Sequence, residues 1–593
     1  MNAPVAKKRA HTERREKQVR EAEELLFSGP QRQSFGKSLF SGNFVGSLVF
    51  PYPALPDDQQ AAMERALEQL RKVCDQYLDP DQIDRNADIP QELISGLGEI
   101  GLLGMTAPVS VGGRNFSQLA YCRLLEELGS RCSSTSIFVN AHHSIGMRGL
   151  LLFGTDDQKQ KWLPGLVSGE KIAAFALTES QAGSDASNVQ TTATLTDDGQ
   201  HFVLNGTKRY ITNGAIADLL TVMARTKVAD SDETAVTAFL VTPDMPGFRV
   251  IEPRMEKLGI RGTATAKLAF DQMQVPVQNV LGPIGKGLRV ALTVLDFGRT
   301  TFGACCTGAA KTCVRLANEH AHRRVQFGQT LAEFELVQKK LALISADTYA
   351  MEAMTKVTAG LIDGGCEDYM LETAMLKVWS TERLWEIVNE TFQIYGGAAY
   401  FTDQPLERML RDARINQIGE GANEVLTSFI GLVGMRDPGE ELRTVAEAAV
   451  RSWRHFMALA RFSMREASRR CSRPKLTVRS SELKPAEKRL AKQIKQFGIC
   501  VQRELIRHRE DILERQLVHE RFACAAMEIY AATAVISRRD AEIQTRRDTD
   551  GDADRQKLAS FFLAKSERRV RECLRGLRDN DDVLLIHAAE TTG

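Results

Sequence analysis

The hydrophobic period changes twice along this chain, and those changes limit the folds open to it. From Asp57 apolar residues recur at helical spacing: Ala62, Met63, Ala66, Leu67, Leu70 and Val73 share one face. The texture then becomes that of a sheet. TTATLTDDGQHFVLNGTKRYITNG (191–214) is broken at Asp198-Gly199 and Asn205-Gly206, both hairpin dipeptides. LLTVMARTKV (219–228) and TAVTAFLVTPD (234–244) are rich in β-branched residues, as strands are. Long amphipathic segments return after Gly287, in LRVALTVLDFGRTTFGACCTGAAKTCVRLANEHA and LVQKKLALISADTYAMEAMTKVTAGLI. The chain therefore reads as mostly α with an inserted β domain. The expected units are an N-terminal arm (1–56), a helical domain (57–172), a β domain (173–283), a helical bundle (284–436) and a helical extension (437–593). Pro438 and Gly439 mark the last boundary. The arm's 30–56 stretch, with Gly, Ser, Pro and scattered Phe, reads as extended chain pressed onto the body by its aromatics.

Length and composition exclude several classes. At 593 residues the chain exceeds what one core holds. Hydrophobic residues at 43% and charged ones at 26% suit a soluble globular protein. A net charge of +1 gives no global field to recruit nucleic acid. Eleven scattered cysteines, none in a C-x-x-C pair, read as reduced thiols and exclude a disulfide frame or a zinc site. No apolar run is long enough to span a bilayer. The basic start, MNAPVAKKRAHTERREKQVREAEELL, lacks an apolar segment and carries acids, so it reads as neither a secretory nor a transit signal.

Several short constellations carry chemistry. In INQIGEGANEVLTS (415–428) Glu420 stands between Gly419 and Gly421, where bare backbone lets another molecule approach. Taken alone, an acidic helix start explains it better. AFALTESQAGSD (174–185) offers the Thr178 and Ser184 hydroxyls and open amides near Gly183, suited to a polar ring edge or a phosphate, or else is a polar crossover loop. In NGTKRYITNG (205–214) period two places Tyr210 and Thr212 on one sheet face, as a shelf for a planar cofactor or as an ordinary hairpin. RRVQFGQTLAEFE (323–335) sets Arg324 and Phe327 three apart on a helical approach. QIYGGAAYF (393–401) holds Gln393 and the pair Gly396-Gly397, and in LDFGR (295–299) Asp296 and Arg299 brace one another or hold a polar ligand. His142 and His143 read as core or capping residues, since no partner spacing supports a metal.

Taken together, the order and spacing of these segments resemble the acyl-CoA dehydrogenase family. The segments are FALTESQAGSD, KRYITNG, KLGIRGTATAKLAFDQMQVPVQNVLG (257–282), RRVQFGQTLAEF, QIYGGAAYF and LERMLRDARINQIGEGANE. The likeness runs from about Ser34 to the C-terminal region. SFGKSLFSGNFVGSLVFPYP and the tail resemble the very-long-chain branch, and YAMEAMTKVTAGLID (349–363) resembles its relative that helps assemble respiratory complex I. The resemblance implies that family's fold: an N-terminal helical domain, a central β domain and a C-terminal four-helix bundle, here with an extra C-terminal helical domain. It implies FAD as cofactor and oxidation of a long or very-long-chain acyl-CoA to the trans-2-enoyl-CoA. Electrons would pass to electron-transferring flavoprotein, within fatty acid β-oxidation. Glu420 matches the base that takes the α-proton.

Residue by residue, the resemblance places Phe175, Leu177, Thr178, Ser184, Tyr210, Ile211 and Thr212 against the flavin. Ala422, Asn423 and Glu424 fall beside it after the E-G pair. Arg324, Phe327, Glu335, Gln393, Gly396 and Gly397 fall at the adenosine and pyrophosphate, reached across a subunit contact, which implies a homodimer. Ser184, Gly419, Gly421, Asp296 and Arg299 fall near the substrate, the last two near its CoA moiety, and SSTSIFVNAHHSIG (133–146) along the acyl tunnel. Departures from the family pattern are Ser180 for a proline, Tyr210 for tryptophan, Glu335 for glutamine and Ala422 for threonine; the last removes a hydroxyl worth roughly 0.5–1.5 kcal/mol. Between 465 and 495 basic residues outnumber acids, which fits a solvated face or peripheral contact with an anionic membrane and not nucleic acid. The resemblance implies a cytoplasmic location in a bacterium, peripheral to the inner membrane, and a mitochondrial one in a eukaryote. An acyl-CoA oxidase, or an assembly scaffold keeping the fold, remains an alternative.

Overall fold

The computed structural model describes residues 33–227, 233–451, 473–545 and 551–591. A short helix α1 (Phe35–Phe40) precedes a helical domain of α2 (Asp57–Tyr77), α3 (Pro80–Asn86), α4 (Gln91–Glu99), α5 (Gln118–Arg131), α6 (Ser133–Val139), α7 (Arg148–Phe153) and α8 (Asp156–Ser168). The sheet follows: β1 (Ala173–Ala176), β2 (Thr192–Leu195), β3 (His201–Thr212), β4 (Leu219–Lys227), β5 (Thr234–Val241), β6 (Phe248–Glu252), β7 (Thr265–Pro276) and β8 (Val280–Leu281). Then come α9 (Gly287–Arg323), a hairpin of β9 (Val325–Gln326) and β10 (Gln329–Thr330), α10 (Glu335–Asp363), α11 (Met370–Tyr395), α12 (Leu406–Arg414) and α13 (Asn423–Arg451). The extension adds α14 (Lys484–His508), α15 (Gln516–Gln544), α16 (Asp552–Gly576) and α17 (Asp582–Glu590). The architecture is the expected one, mostly helical with an inserted sheet.

The sheet runs β6-β7-β3-β2-β4-β5-β8, with β1 parallel to β4. Its alternation assigns each side chain to one of two cores. Leu219 and Met223 of β4, with Val236, Ala238 and Leu240 of β5, pack beside residues of α7, α8 and α9. Leu220, Val222, Ala224, Phe239 and Val241 point to the other face, against Phe202, Leu204, Leu268 and Phe270. β4 is buried on both faces and reads accordingly as a continuous apolar run. Asp198-Gly199 forms the β2–β3 turn, closed by Thr196 N–H to the His201 carbonyl at 2.9 Å. Asn205-Gly206 does not turn. It lies inside β3 at a register shift against β7, and the Asn205 side chain accepts the Gln272 N–H at 2.9 Å. Gly206 is needed because a Cβ there would lie 2.5 Å from the Thr191 hydroxyl.

Two expectations about the ends are corrected. Residues 35–40 are helical, not extended, because Ser34 caps them through Lys37 N–H (3.1 Å) and buries Phe35, Leu39 and Phe40 on one face. The boundary at 437 is not a break either: α13 runs through Pro438. An interior proline costs about 3 kcal/mol, and the packing of Ile430, Val433 and Met435 in the bundle core outweighs it. The part of the arm before residue 33 lies outside the described residues. The extension is no loose tail. α15 packs on α10, α13 and α16, and its Phe522, Ile529, Tyr530 and Val535 are fully buried, each contributing roughly 1.5–3 kcal/mol.

The arm is locked by one carboxyl. Ser34 Oγ and Gly36 N–H both donate to Glu372 Oε1 of α11, each at 2.8 Å. Phe35 meets Tyr530, and Phe40 meets Phe497, at ring separations of 5.5 and 4.9 Å. Burial pushes Glu372 up to about 7 from an ordinary 4.5. The folded state thus binds this proton more tightly than the unfolded chain does. That stabilisation is complete below pH ~4.5 and is lost as pH rises through 7, a span of about 3 kcal/mol. Glu372→Gln keeps the accepting oxygen and cannot ionise. Its melting temperature, compared with wild type in calorimetry, should gain on wild type steadily between pH 5 and 8.

Candidate active site

Glu420 sits in a loop between α12 and α13, three residues before the latter helix begins, so it is not part of a helix start. Its φ is +59° and that of Gly421 is +99°. A left-handed conformation costs a non-glycine residue about 1–2 kcal/mol, so something must hold it. One face of α11 does. Lys377 Nζ donates to the Gly421 carbonyl at 2.6 Å and to Asn423 Oδ1 at 2.9 Å. Asn423 Nδ2 donates to Thr381 Oγ1 and to Glu382 Oε1, at 3.0 and 2.6 Å. Gln417 Nε2 reaches Glu382 Oε2 at 2.9 Å.

The loop turns the carboxyl inward. The residue as a whole is half-buried, but Oε2 is shut off from solvent and has no hydrogen-bond partner. It lies beside Gly298 of α9, where a Cβ would come within 3.4 Å of it. Burial raises the Glu420 carboxyl above its ordinary range; Arg299 and, more weakly, Lys377 oppose that rise. A desolvated carboxylate with an open lone pair is what a general base requires. Below it Arg299 Nη1 donates to Asp296 Oδ1 at 3.1 Å, and Thr373 Oγ1 donates to the same oxygen at 2.9 Å. Both Asp296 and Arg299 are buried.

The second group of residues surrounds the end of β1. Lys208 of β3 is fully buried and pairs with Glu179 at 2.6 Å, while also donating to the Leu177 carbonyl at 2.9 Å. Glu179 in turn accepts the N–H groups of Gln190 and Thr191 and the Thr191 hydroxyl. Arg209 N–H donates to the Thr178 carbonyl at 2.9 Å. This internal clamp leaves Gly183 and Ser184 exposed and Phe175 and Thr178 half-buried. Tyr210 lies at a second register shift, between Lys208 and Ile211, with φ +62°. It is 57% exposed, with the Arg209 guanidinium 4.8 Å from its ring. Thr212 is half-buried, whereas the side chains of Ile211 and Leu177 lie in the sheet cores and leave only backbone to offer a ligand.

A π-helical turn (Asn140–Gly146) joins the two groups, a device concentrated at functional sites. Thr301 of α9 donates to Asn140 and to Ser144. His142 Nδ1 accepts the Ala173 N–H at 2.9 Å, so Nε2 carries the proton and donates to the Leu166 carbonyl at 3.0 Å. Burial lowers this histidine to about 4, a neutral core residue. Among the described residues no cluster of His, Cys, Asp and Glu is arranged to hold a metal.

The remaining candidates lie elsewhere. Arg324 and Phe327 are not on a helix: α9 stops at Arg323, and Phe327-Gly328 forms the turn of the β9–β10 hairpin with φ of +53° and +81°. Positive φ at both central residues matches strand twist and closes the hairpin tightly. Phe327 is 94% exposed. Gln393, Gly396 and Gly397 are exposed at the end of α11, next to the hairpin, since His320 stacks on Tyr395 at 4.1 Å. Glu335 is exposed at the start of α10, where its charge suits the helix dipole. Ala422 accepts the Leu426 N–H that opens α13, and Gly419 N–H is held by the Ile415 carbonyl. Glu424 is exposed on the first turn of α13, and Asn423 is consumed by the α11 contacts described above.

Sequence reading missed Lys377, Lys208, Glu179 and Gly298. Lys377 had a signal, a single charge in the apolar run AMLKVW, where only a partnered ammonium survives burial; Lys208, beside Arg209, had none.

The chain matches the acyl-CoA dehydrogenase N-terminal domain over residues 58–170, the middle domain over 174–273 and the C-terminal domain over 285–433. The ACAD9/ACADV C-terminal domain matches 481–588. It is 33% identical to the mitochondrial very long-chain specific acyl-CoA dehydrogenase of Homo sapiens, over 93% of this chain and 85% of that one. It is 39% identical to the probable acyl-CoA dehydrogenase FadE10 of Mycobacterium tuberculosis, over 69% of this chain and 64% of that one. Among solved structures it resembles an acyl-CoA dehydrogenase complexed with FAD from Bacillus anthracis, with 27% identity, a TM-score of 0.79 and 94% of both chains covered. Butyryl-CoA dehydrogenase of Megasphaera elsdenii aligns at 34% identity and a TM-score of 0.60, over 64% of this chain and 99% of that one. The inward carboxylate, the inserted sheet and these matches lead to one conclusion: the chain belongs to the acyl-CoA dehydrogenase family, as a FAD-dependent oxidoreductase with the ACAD9/ACADV domain appended.

Proposed function

We propose that the protein oxidises the Cα–Cβ bond of long or very-long-chain acyl-CoA to the trans-2-enoyl-CoA, with Glu420 as the base, and delivers the electrons to electron-transferring flavoprotein. The unpartnered, buried Glu420 Oε2 carries this reading: a carboxylate is held by strained backbone where water does not reach. The residues around the site fit FAD. Tyr210 offers an exposed aromatic face beside Thr212, and the backbone at Gly183, Gly396 and Gly397 would meet no atom within 4 Å even with a Cβ added. A flavin held by these residues would supply the acceptor for the β-hydrogen, taken as hydride. Glu420 takes the α-proton, and its own N–H, bared by Gly419 and Gly421, is the donor suited to the thioester oxygen as charge builds on it. Asp296 and Arg299 brace the floor beneath.

Helix lengths support a homodimer. At roughly 1.5 Å per residue, Gly298 beside Glu420 and His320 beside the hairpin lie about 33 Å apart along α9. The nucleotide-holding set of one protomer is thus remote from its own base and suits a partner's cofactor. The exposed Lys475, Arg479, Lys488, Arg489 and Lys492 support peripheral contact with an anionic membrane; Arg465, Arg469 and Arg470 lie outside the described residues. No helix among the described residues is long and apolar enough to cross a membrane.

Glu420→Gln should bind FAD normally and lower the rate of flavin bleaching by palmitoyl-CoA about 10³-fold, the scale of a lost general base; bleaching at the wild-type rate in stopped flow would refute the assignment. Phe327→Ala with Arg324→Ala should weaken FAD retention about tenfold or more and shift sedimentation toward monomer, while leaving secondary structure unchanged. Phosphatidylglycerol vesicles should pellet the protein at low salt and release it at high salt; salt-independent pelleting, or none, would contradict the membrane contact.

A further inference from the structure

Lys377 has no exposed surface, and both of its hydrogen-bond acceptors, the Gly421 carbonyl and Asn423 Oδ1, are neutral. An ammonium buried on neutral acceptors alone is costly. Burial lowers this one to about 8, and the charge that most opposes that fall is Glu420, ahead of Cys306 and Glu382; Arg299 acts in the same direction as burial. Glu382 lies on the same helix but answers other groups: its two oxygens accept from Asn423 and Gln417. From the Glu420 side, the opposing cations are Arg299 on α9 and Lys377 on α11. Arg299 acts more strongly on Glu420, yet its guanidinium also donates to Asp296, itself raised to about 6 by burial. Lys377 donates to no carboxylate among the described residues, so its charge is directed chiefly at the base.

We propose that Lys377 is a positioning residue for the base: through the Gly421 carbonyl it fixes the left-handed backbone of the Glu420 loop, and its charge favours the ionised form of the Glu420 carboxyl against burial. This rests on the reading of Glu420 as the base. The two roles separate by substitution. Lys377→Gln keeps a donor for the Gly421 carbonyl and removes the charge. Lys377→Met removes both, and Lys377→Arg keeps the charge.

The test uses the FAD-bound protein. The Glu420 carboxyl band, assigned in the infrared by subtraction of Glu420→Gln, is titrated with pH, and the pH profile of flavin reduction by palmitoyl-CoA is recorded alongside. The Glu420 midpoint should rise by about one pH unit in Lys377→Gln and Lys377→Met, so that below the midpoint flavin reduction is about tenfold slower at a given pH. Lys377→Arg should stay near wild type. Lys377→Met alone should also lose maximal rate on the high-pH plateau, where the base is ionised and only its placement matters. An unmoved midpoint in both Lys377→Gln and Lys377→Met overturns the proposal. Should Lys377→Met fail to fold, Lys377→Gln decides the charge role. If wild-type flavin is not reduced by acyl-CoA at all, the functional reading fails, and the infrared titration still decides Lys377.

Discussion

A carboxyl shut off from water and faced by two cations is the constraint on which this site depends. Desolvation alone favours the protonated form of Glu420. Cations alone, in water, would leave it ionised but a feeble base. The structure sets the two against each other: burial raises the carboxyl, while Arg299 and Lys377 pull it back. Each cation comes from a different long helix, α9 or α11, so the relative placement of these helices sets the electrostatics of the Glu420 carboxyl. The same helices supply Gly298, which leaves room for the carboxyl, and the Thr381–Glu382 turn, which grips the loop.

The extension bears on the same core. α13 starts three residues after Glu420 and runs without interruption to Arg451. α15 packs on α10 and α13, and Trp379 of α11 donates its ring N–H to Glu528 of α15 at 3.1 Å. Trp379 lies two residues beyond Lys377 on that helix. The arm closes the same cluster through Phe35, Phe40 and Glu372. The extension therefore shares one hydrophobic core with the helices that hold the Glu420 loop, and it is part of the body rather than a tethered accessory.

The sequence disclosed the order of elements because period is local. Helical spacing from Asp57, the Asp198-Gly199 turn and the doubly apolar β4 each express physics within a few residues. Where it misled, distant partners decided. Asn205-Gly206 has hairpin chemistry, but the approach of Thr191 turns it into a bulge. Pro438 should stop a helix, but packing on both sides carries α13 through it. Phe327 looked helical by spacing, yet two residues with positive φ reverse the chain there. In the site, the flanking glycines drew attention to Glu420, but only the family resemblance chose a base over a helix start. Lys377 and the Lys208–Glu179 clamp were not, since their meaning depends on which carbonyl or carboxylate the fold brings to them.

Those two lysines solve one problem in two ways. Each is a fully buried ammonium that organises a loop by holding a backbone carbonyl: Leu177 for Lys208 and Gly421 for Lys377. Lys208 is also neutralised by direct contact with Glu179, so that clamp is closed and purely structural. Lys377 has no such contact, and the carboxylate that answers its charge is the one left without a hydrogen bond of its own. Closing that second pair would tie up the Glu420 lone pair; keeping it open leaves the charge in place and the oxygen free, as the proposed role of Glu420 needs. A buried ion pair left incomplete in this way is poor for stability, and it is the arrangement that proton abstraction requires.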